Sequence, residues 1–163
     1  MPNTAKTEKP QAMEKPQDAI ALLRADHKHL SDLFAKYEEM RSSSQKKAHV
    51  AQICTEFKIH ALVEEEIFYP AVKKALKDDE MIPEALVEHA SINNLVGQLE
   101  SMEPDGEMYD AKIKVMSEYV KHHVKEEQQE LFPKAKETKL DMNDLGARMA
   151  SRKEELFAQK PGH

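Results

Sequence analysis

The sequence predicts an all-α protein: an up-down-up-down four-helix bundle with an additional C-terminal helix and a disordered N-terminal tail. Composition is the first observation, because 33% of the 163 residues are charged, 40% are hydrophobic and only 4 are glycine, which is typical of helices with one exposed face. The second observation is spacing, since apolar residues recur every three or four positions in several segments. Short polar connections between long helices favour antiparallel neighbours.

One domain is expected at this length. Residues 1–16 contain three prolines and no periodic apolar positions, so they cannot bury enough surface to offset the entropy of ordering and are predicted to form a flexible tail. We assign residues 17–139 to the bundle. Residues 140–163 are assigned to the appended helix and a frayed end.

Five segments carry the helical spacing of apolar residues. They span residues 20–37, 50–72, 82–99, 109–134 and 142–156. Asp18 and Asp141 precede the first and last segments and are predicted N-caps, while Pro83 suits the first turn of the third helix. A turn is expected at Pro104-Asp105-Gly106, and the chain is expected to fray after Gln159.

Charge and cysteine content exclude several classes of function. The formal charge of −6 is spread over interspersed acids and lysines, which argues against binding to nucleic acid. Apolar runs are too short for a signal peptide or a membrane span, so we predict a cytoplasmic protein without a membrane partner. The single cysteine, Cys54, cannot form an intramolecular disulfide and is interpreted as a small buried hydrophobic residue.

The two halves of the chain repeat one pattern. In the first and third segments, Asp26-His27 recurs 62 residues later as Glu88-His89. In the second and fourth segments, His60, Glu64 and Pro70 recur 63 residues later as His123, Glu127 and Pro133. Two similar helix pairs that pack about a pseudo-twofold axis would bring their matching polar residues together in the middle of the bundle.

Six polar residues interrupt the apolar stripes and form the predicted metal site: His27, His60, Glu64, His89, His123 and Glu127. A histidine and a glutamate four residues apart share one helix face. Buried carboxylates need compensation, and no Lys or Arg repeats on these stripes. Imidazole and carboxylate ligands suit iron, manganese or zinc. We predict two ions, each holding two histidines and bridged by both glutamates, with iron preferred and positions left open for a small molecule.

The same residues resemble the hemerythrin-like, or HHE cation-binding, domain over roughly residues 18 to 138. The resemblance implies a non-heme di-iron centre in a four-helix bundle, with carboxylate bridges and room for an oxo or hydroxo bridge. It also implies that the ligand is dioxygen, peroxide or nitric oxide. No residue is assigned a catalytic role.

The chain departs from the oxygen-carrying members of that family at two places. Asn93 stands where they have a second histidine four residues after the one matched by His89. They also end with a histidine and an aspartate five residues apart, whereas His123 and Glu127 are four apart. His122 stands five before Glu127, so the choice between His122 and His123 is open, although the repeat favours His123.

With fewer histidines, reaction with peroxide or sensing of an oxidant is favoured over reversible oxygen carriage. The pattern is similar to the iron–sulfur repair and stress-response branch of the family. An iron store or donor, or a cluster-repair role, without turnover is the alternative.

Acidic residues next to the predicted ligands are given no direct bond to metal. Asp26 and Glu88 precede ligands and are candidates to orient an imidazole. Glu65, Glu66 and Glu126 leave the stripe by their angle round the helix, and we interpret them as solvated or supporting residues.

Prolines and tyrosines near the predicted site have structural interpretations. Pro70 and Pro133 are expected to kink or end their helices. Tyr37, Tyr69 and Tyr119 are candidate hydrogen-bond donors to an oxidant, but aromatic residues at helical spacing are usually core. Tyr119, one turn before His123, is the candidate that we retain.

Overall fold

The computed structural model describes residues 17–77, 80–104 and 106–159. The predicted tail, residues 1–16, lies outside the described residues, as do residues 160–163 of the predicted frayed end and Asp105 of the predicted turn.

The described chain is helical and contains no strand, which confirms the predicted fold class. Its α-helices are α1 (Ala19–Tyr37), α2 (Ser43–Val63), α3 (Tyr69–Leu76), α4 (Met81–Glu100), α5 (Glu107–Glu126), α6 (Phe132–Lys136) and α7 (Met142–Gln159). Two five-residue π-helical turns, Glu64–Phe68 and Glu127–Leu131, join α2 to α3 and α5 to α6. Four helical rods therefore form the bundle, and α7 is the appended helix.

Each rod packs against two neighbours, so the bundle closes around a common interior. α1 contacts α2 and α5, and α4 also contacts α2 and α5. α7 packs outside the bundle against α1, α2 and the first π-helical turn. None of the described helices is long and apolar enough to cross a membrane.

The helix starts follow local side-chain chemistry. The Asp18 carboxylate accepts a hydrogen bond from the backbone N–H of Ala21 at 2.7 Å, and Asp141 accepts one from Asp144 at 3.0 Å. Both predicted N-caps are confirmed. Such a cap contributes about 1 kcal/mol because it satisfies a backbone donor that has no partner inside the helix.

Two apolar clusters fill the bundle at different levels. One includes Leu23, Phe68 and Phe132, and the other includes Leu30 and Phe57. Burying one such side chain contributes about 1.5–3 kcal/mol. The predicted ligands lie between these levels, as His27 lies between Leu23 and Leu30 on α1.

Cys54 belongs to the second cluster and is fully buried. Burial, with a smaller contribution from Glu100, raises the pKa of its thiol to about 12. The residue is therefore a protonated core side chain, as predicted.

The appended helix is held against the start of α1 by a close backbone approach. A Cβ added at Gly146 would lie 2.2 Å from the backbone oxygen of Gln17 and 2.7 Å from the carbonyl carbon of Asp18. Only glycine fits at this contact. Farther along α7, Arg152 pairs with Glu66 at 2.7 Å.

Ending of the helices at Pro70 and Pro133 was one expectation, but both helical rods continue through the proline. Each rod instead widens into a π-helical turn just before it. The N–H of Tyr69 bonds to the oxygen of Glu64, five residues back, and the N–H of Phe132 bonds to Glu127 in the same way. A proline at the next position has no N–H and its ring would clash with a carbonyl of the preceding turn. A π-helical turn accommodates both effects and lets the rod continue.

Candidate metal centre

The six residues predicted as metal ligands lie together in the middle of the bundle. Each is at most 5% exposed. Their helices surround the interior, with His27 on α1, His60 on α2, His89 on α4, His123 on α5, and Glu64 and Glu127 each at the start of a π-helical turn. Packing of the four rods therefore brings together residues that are up to 100 positions apart in sequence.

The ligand atoms form two groups. The first, called position 1, consists of His27, His60, Glu64 and Glu127, whose ligand atoms all lie within 4.8 Å of one another. The second, called position 2, contains His89 and His123, which lie within the same limit of Glu64. Glu127 also reaches position 2, because its Oε2 is 3.3 Å from Nε2 of His123.

Distances in the two positions match as the sequence repeat requires. Nε2 of His27 is 3.1 Å from Oε1 of Glu127, and Nε2 of His89 is 3.1 Å from Oε1 of Glu64. The pairs four residues apart also agree, at 3.4 Å for His60 with Glu64 and 3.3 Å for His123 with Glu127. The repeat is therefore a pseudo-twofold arrangement of side chains.

Among the residues that the structure describes, three buried atoms of this cluster have no hydrogen-bond partner: Nε2 of His27, Oε2 of Glu64 and Oε1 of Glu127. An unsatisfied buried polar group costs about 1–3 kcal/mol. Within the described ranges, the ion pairs of Glu64 and Glu127 are with histidines and none is with Lys or Arg. Cations between these atoms would satisfy all three, and nitrogen with carboxylate oxygen is a donor set that suits divalent transition metals.

The pKa values of the two glutamates are shifted in opposite directions, although burial acts to raise both. Burial, and the charge of Glu127, raise the pKa of Glu64 well above its ordinary value. Burial also acts to raise the pKa of Glu127, but the facing imidazoles of His123 and His27 hold it well below the ordinary range. Without metal, the pair therefore shares one proton, which a cation would displace.

The surroundings also shift the pKa values of three of the histidines, His60, His89 and His123. Burial lowers the pKa of His60 and lowers that of His89 to about 3, so both imidazoles are neutral and each carries a lone pair that can bind a metal. Burial opposes the charged form of His123 too, but hydrogen bonds with Glu127 and Glu88 raise its pKa to about 9. A metal at position 2 must displace this proton.

Each imidazole is oriented by an acceptor at its Nδ1, which leaves Nε2 facing the interior. A supporting acceptor of this kind fixes the tautomer of a metal-binding histidine. The pairs are His27 with Gln128 at 2.9 Å, His60 with Asp26 at 2.9 Å, His89 with Glu65 at 2.7 Å and His123 with Glu88 at 2.5 Å.

The supporting acids act across helices. Asp26 and Glu88 do orient imidazoles, but those of His60 and His123 on the neighbouring helices and not the histidines beside them in sequence. Burial alone would raise the pKa of Asp26, yet His60 and Lys153 lower it to about 2. Sequence periodicity missed these pairings because they depend on which helices are adjacent.

Tyr69 belongs to the site, and the sequence analysis treated it as core. Its hydroxyl is 2.9 Å from Glu64, 3.3 Å from His123 and 3.4 Å from His89, and it also contacts Glu127. Burial and the charges of Glu64 and Glu127 raise the pKa of this phenol well above its ordinary value, so it keeps its proton and can donate a hydrogen bond there. Tyr119, the tyrosine favoured from sequence, is 48% exposed and lies outside the cluster.

The π-helical turn explains why Tyr69 was missed. In an α-helix, residues five apart differ by about 140° and face different sides. The wider turn from Glu64 brings Tyr69 round to the same side as the glutamate. A tyrosine five residues after a ligand and directly before a proline is the sequence signal that was available.

The structure places His123 and not His122 in the cluster. His123 is 2% exposed, whereas the side chain of His122 is 64% exposed and lies 3.3 Å from Glu126 on the surface. Neighbouring residues are about 100° apart round an α-helix, so His122 points away from the interior that His123 faces.

A four-helix bundle with buried histidines and carboxylates at its centre defines the class of cation-binding helical bundles. The family model of the hemerythrin HHE cation binding domain matches residues 18–135. The chain belongs to this family, and the resemblance noted from sequence is confirmed.

A similar solved structure is that of a hemerythrin HHE cation binding domain-containing protein from Mycobacterium kansasii. The TM-score is 0.76 at 23% sequence identity, and the match covers 87% of this chain and 88% of that chain. At this identity the likeness shows the shared fold. The comparison with curated proteins gives no match.

Proposed function

We propose that this protein binds two iron ions, one at position 1 and one at position 2, and that the loaded centre binds, senses or reduces a small oxidant such as dioxygen, peroxide or nitric oxide. The observation that supports this most is the geometry of Glu127. Its two carboxylate oxygens face one histidine of each position, at 3.1 Å from His27 and 3.3 Å from His123. A carboxylate in this arrangement suits a bridge between two ions.

The donor set supports iron and an open centre. Each position offers two imidazoles and a share of two carboxylates, and non-heme iron held by so few protein donors keeps open positions for a small molecule. Bound iron would supply one-electron redox chemistry and sites for a small ligand.

Side chains around the centre would control the access of water to the bound ions and the donation of hydrogen bonds to a small ligand. The Phe57 ring packs edge-on against His89 with centroids 5.7 Å apart, and the Phe132 ring stacks on His27 at 5.9 Å. These rings exclude water from the ligand atoms. The Tyr69 hydroxyl lies where it can donate a hydrogen bond to a ligand held between the glutamates.

Metal analysis tests the proposal directly. Protein reconstituted with ferrous iron without oxygen should hold two ions per chain and develop near-ultraviolet bands in air. Glu64→Ala should lose at least one of the two ions, because Glu64 contacts histidines of both positions. Glu66→Ala is the matched control, since Glu66 pairs with Arg152 outside the cluster. Reconstituted protein with almost no iron would refute the proposal.

Spectra under peroxide and under nitric oxide then narrow the reaction. The proposed role requires the loaded protein to bind nitric oxide or to consume peroxide faster than the Glu64→Ala variant. Equal rates in both proteins, with no spectral change under nitric oxide, would favour an iron store or donor, or a cluster-repair role, without turnover.

A further inference from the structure

His122 and Glu126 form a second histidine–glutamate pair on α5, outside the centre. The His122 side chain is 64% exposed, and its Nε2 lies 3.3 Å from Oε2 of Glu126, four residues later. His123 and Glu127 repeat this spacing one position along the helix and face the interior, also at 3.3 Å. A histidine and a glutamate four residues apart offer a nitrogen and an oxygen on one helix face. α5 therefore presents one such pair to the bundle interior and one to solvent.

Glu88 of α4 adds a third donor to the outer pair. Its Oε2 lies 3.9 Å from Nε2 of His122, and the ligand atoms of Glu88, His122 and Glu126 all lie within 4.8 Å of one another. We call these three residues the outer triad. Donors about 2.0–2.2 Å from one ion are separated from each other by roughly 3–4.3 Å. Small side-chain rotations would therefore bring the three donors onto a single ion.

The donor types of the outer triad favour a transition metal. Carboxylates alone suit Mg²⁺ or Ca²⁺, whereas imidazole suits ions such as iron and zinc. The exposed imidazole of His122 distinguishes the triad from a patch of acidic side chains. The triad therefore offers the same donor chemistry as the centre, at the protein surface.

A crevice connects the outer triad with the centre. Glu88 and Glu126 line it together with His123 and Glu127 of the centre, and its volume is about 30 Å³. About 10–15 Å³ is enough for one water molecule, so the crevice has room for a small cation. Glu127 is 2% exposed, and its Oε1 has no hydrogen-bond partner among the described residues. The crevice therefore runs from exposed donors to a buried carboxylate that lacks a partner.

The crevice lining is strongly acidic. It also includes Glu84 and Glu130, and the lining residues that the structure describes contain no Lys or Arg. Carboxylates that line a cleft with low-dielectric walls concentrate negative potential and raise the local concentration of cations. A cation that approaches this face is therefore attracted toward the outer triad.

One carboxylate serves both the outer triad and the centre. Oε1 of Glu88 is 2.5 Å from Nδ1 of His123, while its Oε2 faces His122. A cation on Oε2 would leave the bond from His123 to Oε1 in place, because each oxygen has a different partner. The outer triad can therefore bind a cation without removing the acceptor that orients His123.

The first half of the repeat has no such triad. Ile59 and Val63 stand 63 residues before His122 and Glu126, and both are buried in a cluster with Met149 of α7. α7 packs against α2 at this place. The surface that carries donors in the second half is therefore apolar and covered in the first half.

We propose that Glu88, His122 and Glu126 form an outer site for one divalent transition-metal cation, and that the ion held there is passed through the crevice to the centre. Binding at the outer site does not depend on the proposed two-ion centre, whereas the loading role rests on it. The outer site adds one cation per chain, bound more weakly than the central ions because its donors face water.

Cobalt(II) titration of the metal-free protein, with bound ions counted after equilibrium dialysis, tests the outer site. His122→Ala should lose one cobalt ion per chain or weaken the last binding step at least tenfold, since even a group that only supports a ligand typically changes metal affinity by about 10–100-fold. Glu126→Gln should have the same effect with almost no change in size. Both side chains are on the surface, so both variants should fold.

His29→Ala is the matched control. His29 is also an exposed histidine beside a glutamate, at 3.4 Å from Glu56, but it belongs to no three-donor group in the described part of the chain. Equal cobalt counts and affinities in the unmodified protein and His122→Ala would overturn the outer site, as would an equal loss in His29→Ala. A cobalt ion that depends on His122 in a protein whose centre stays empty would support the outer site and count against the two-ion centre.

Uptake kinetics test the loading role. Metal-free protein is mixed with less than one cobalt(II) ion per chain, so that the tighter central positions fill at equilibrium, and visible absorption is followed by stopped flow. His122→Ala and Glu126→Gln should load the centre about tenfold more slowly, the low end of the effect of charged clefts on association rates, and reach the same final spectrum. A purely structural role would change the final spectrum instead. An unchanged loading rate in folded His122→Ala would refute the loading role.

Discussion

Replacing Tyr69 with phenylalanine removes one buried hydroxyl from the centre and keeps the ring. The side chain is 1% exposed, so water cannot replace the lost group. The hydroxyl contacts Glu64 at 2.9 Å and also contacts Glu127. Its removal leaves both carboxyl groups with one partner fewer in an interior where unsatisfied polar groups are costly.

The size of the effect follows from these contacts. A hydrogen bond to a charged group contributes about 1.5–3 kcal/mol, and no ring volume is lost, so no larger cavity term is added. We expect Tyr69→Phe to lower the free energy of unfolding of the metal-free protein by about 2–3 kcal/mol. For a protein of this size, that corresponds to a fall in Tm of roughly 4–12 °C.

Thermal unfolding of the chelated protein, followed by circular dichroism, measures this change. Tyr119→Phe is the control, because Tyr119 is 48% exposed and surface substitutions usually change stability by less than about 0.5 kcal/mol. If Tm of the chelated Tyr69→Phe protein stays within 1–2 °C, on the order of the control, the hydroxyl does not hold the glutamates as described.

Three further predictions concern metal, pH and packing. The metal-loaded protein should have a higher Tm than the chelated protein, and this difference should grow with the concentration of free metal, because bound ions stabilise the native state by mass action. Calorimetry at two metal concentrations measures the difference. Identical unfolding curves would contradict the prediction. The metal-free protein should lose stability between pH 7 and 9, since native His123, with its pKa raised to about 9, and Glu64, with its pKa raised well above the ordinary value, keep protons that the unfolded chain releases. About 1.4 kcal/mol per pKa unit gives a loss of roughly 2 kcal/mol or more, measurable by urea unfolding, and a flat or rising profile would be inconsistent with these shifts. Gly146→Ala should destabilise by about 1–3 kcal/mol, because its Cβ would lie 2.2 Å from the oxygen of Gln17, whereas Gly97→Ala meets nothing within 4 Å and should be neutral or stabilising; equal denaturation midpoints for the two variants would count against the packing of α7.

Much of the fold was predictable because the signals are local. Apolar spacing depends on 3.6 residues per turn and identifies helices before any tertiary contact is known. Asp18 and Asp141 act on backbone donors three residues away, which is a local relation as well. The start of α4 at Met81 is one residue before the predicted start of its apolar stripe.

The supporting groups of the site were harder to predict because they depend on neighbours in space. Glu65 was interpreted as a solvated or supporting residue, and only the packing of α2 beside α4 shows that it reaches His89 at 2.7 Å. Gln128 was not considered, because an amide gives no signal of its own. The contacts of Gln128 with His27 and of Glu65 with His89 show that the two residues have matching places in the repeat.

The sequence by itself determined the helical class and the six polar residues that interrupt the apolar stripes, because period and repeat are properties of the chain. Tertiary structure alone decided that Glu127 faces histidines of both positions, that Tyr69 joins the cluster through a π-helical turn, and that Lys153 of α7 pairs with Asp26. These contacts join helices that are distant in sequence or depend on a turn that is not α-helical, so the spacing of residues along one helix cannot predict them.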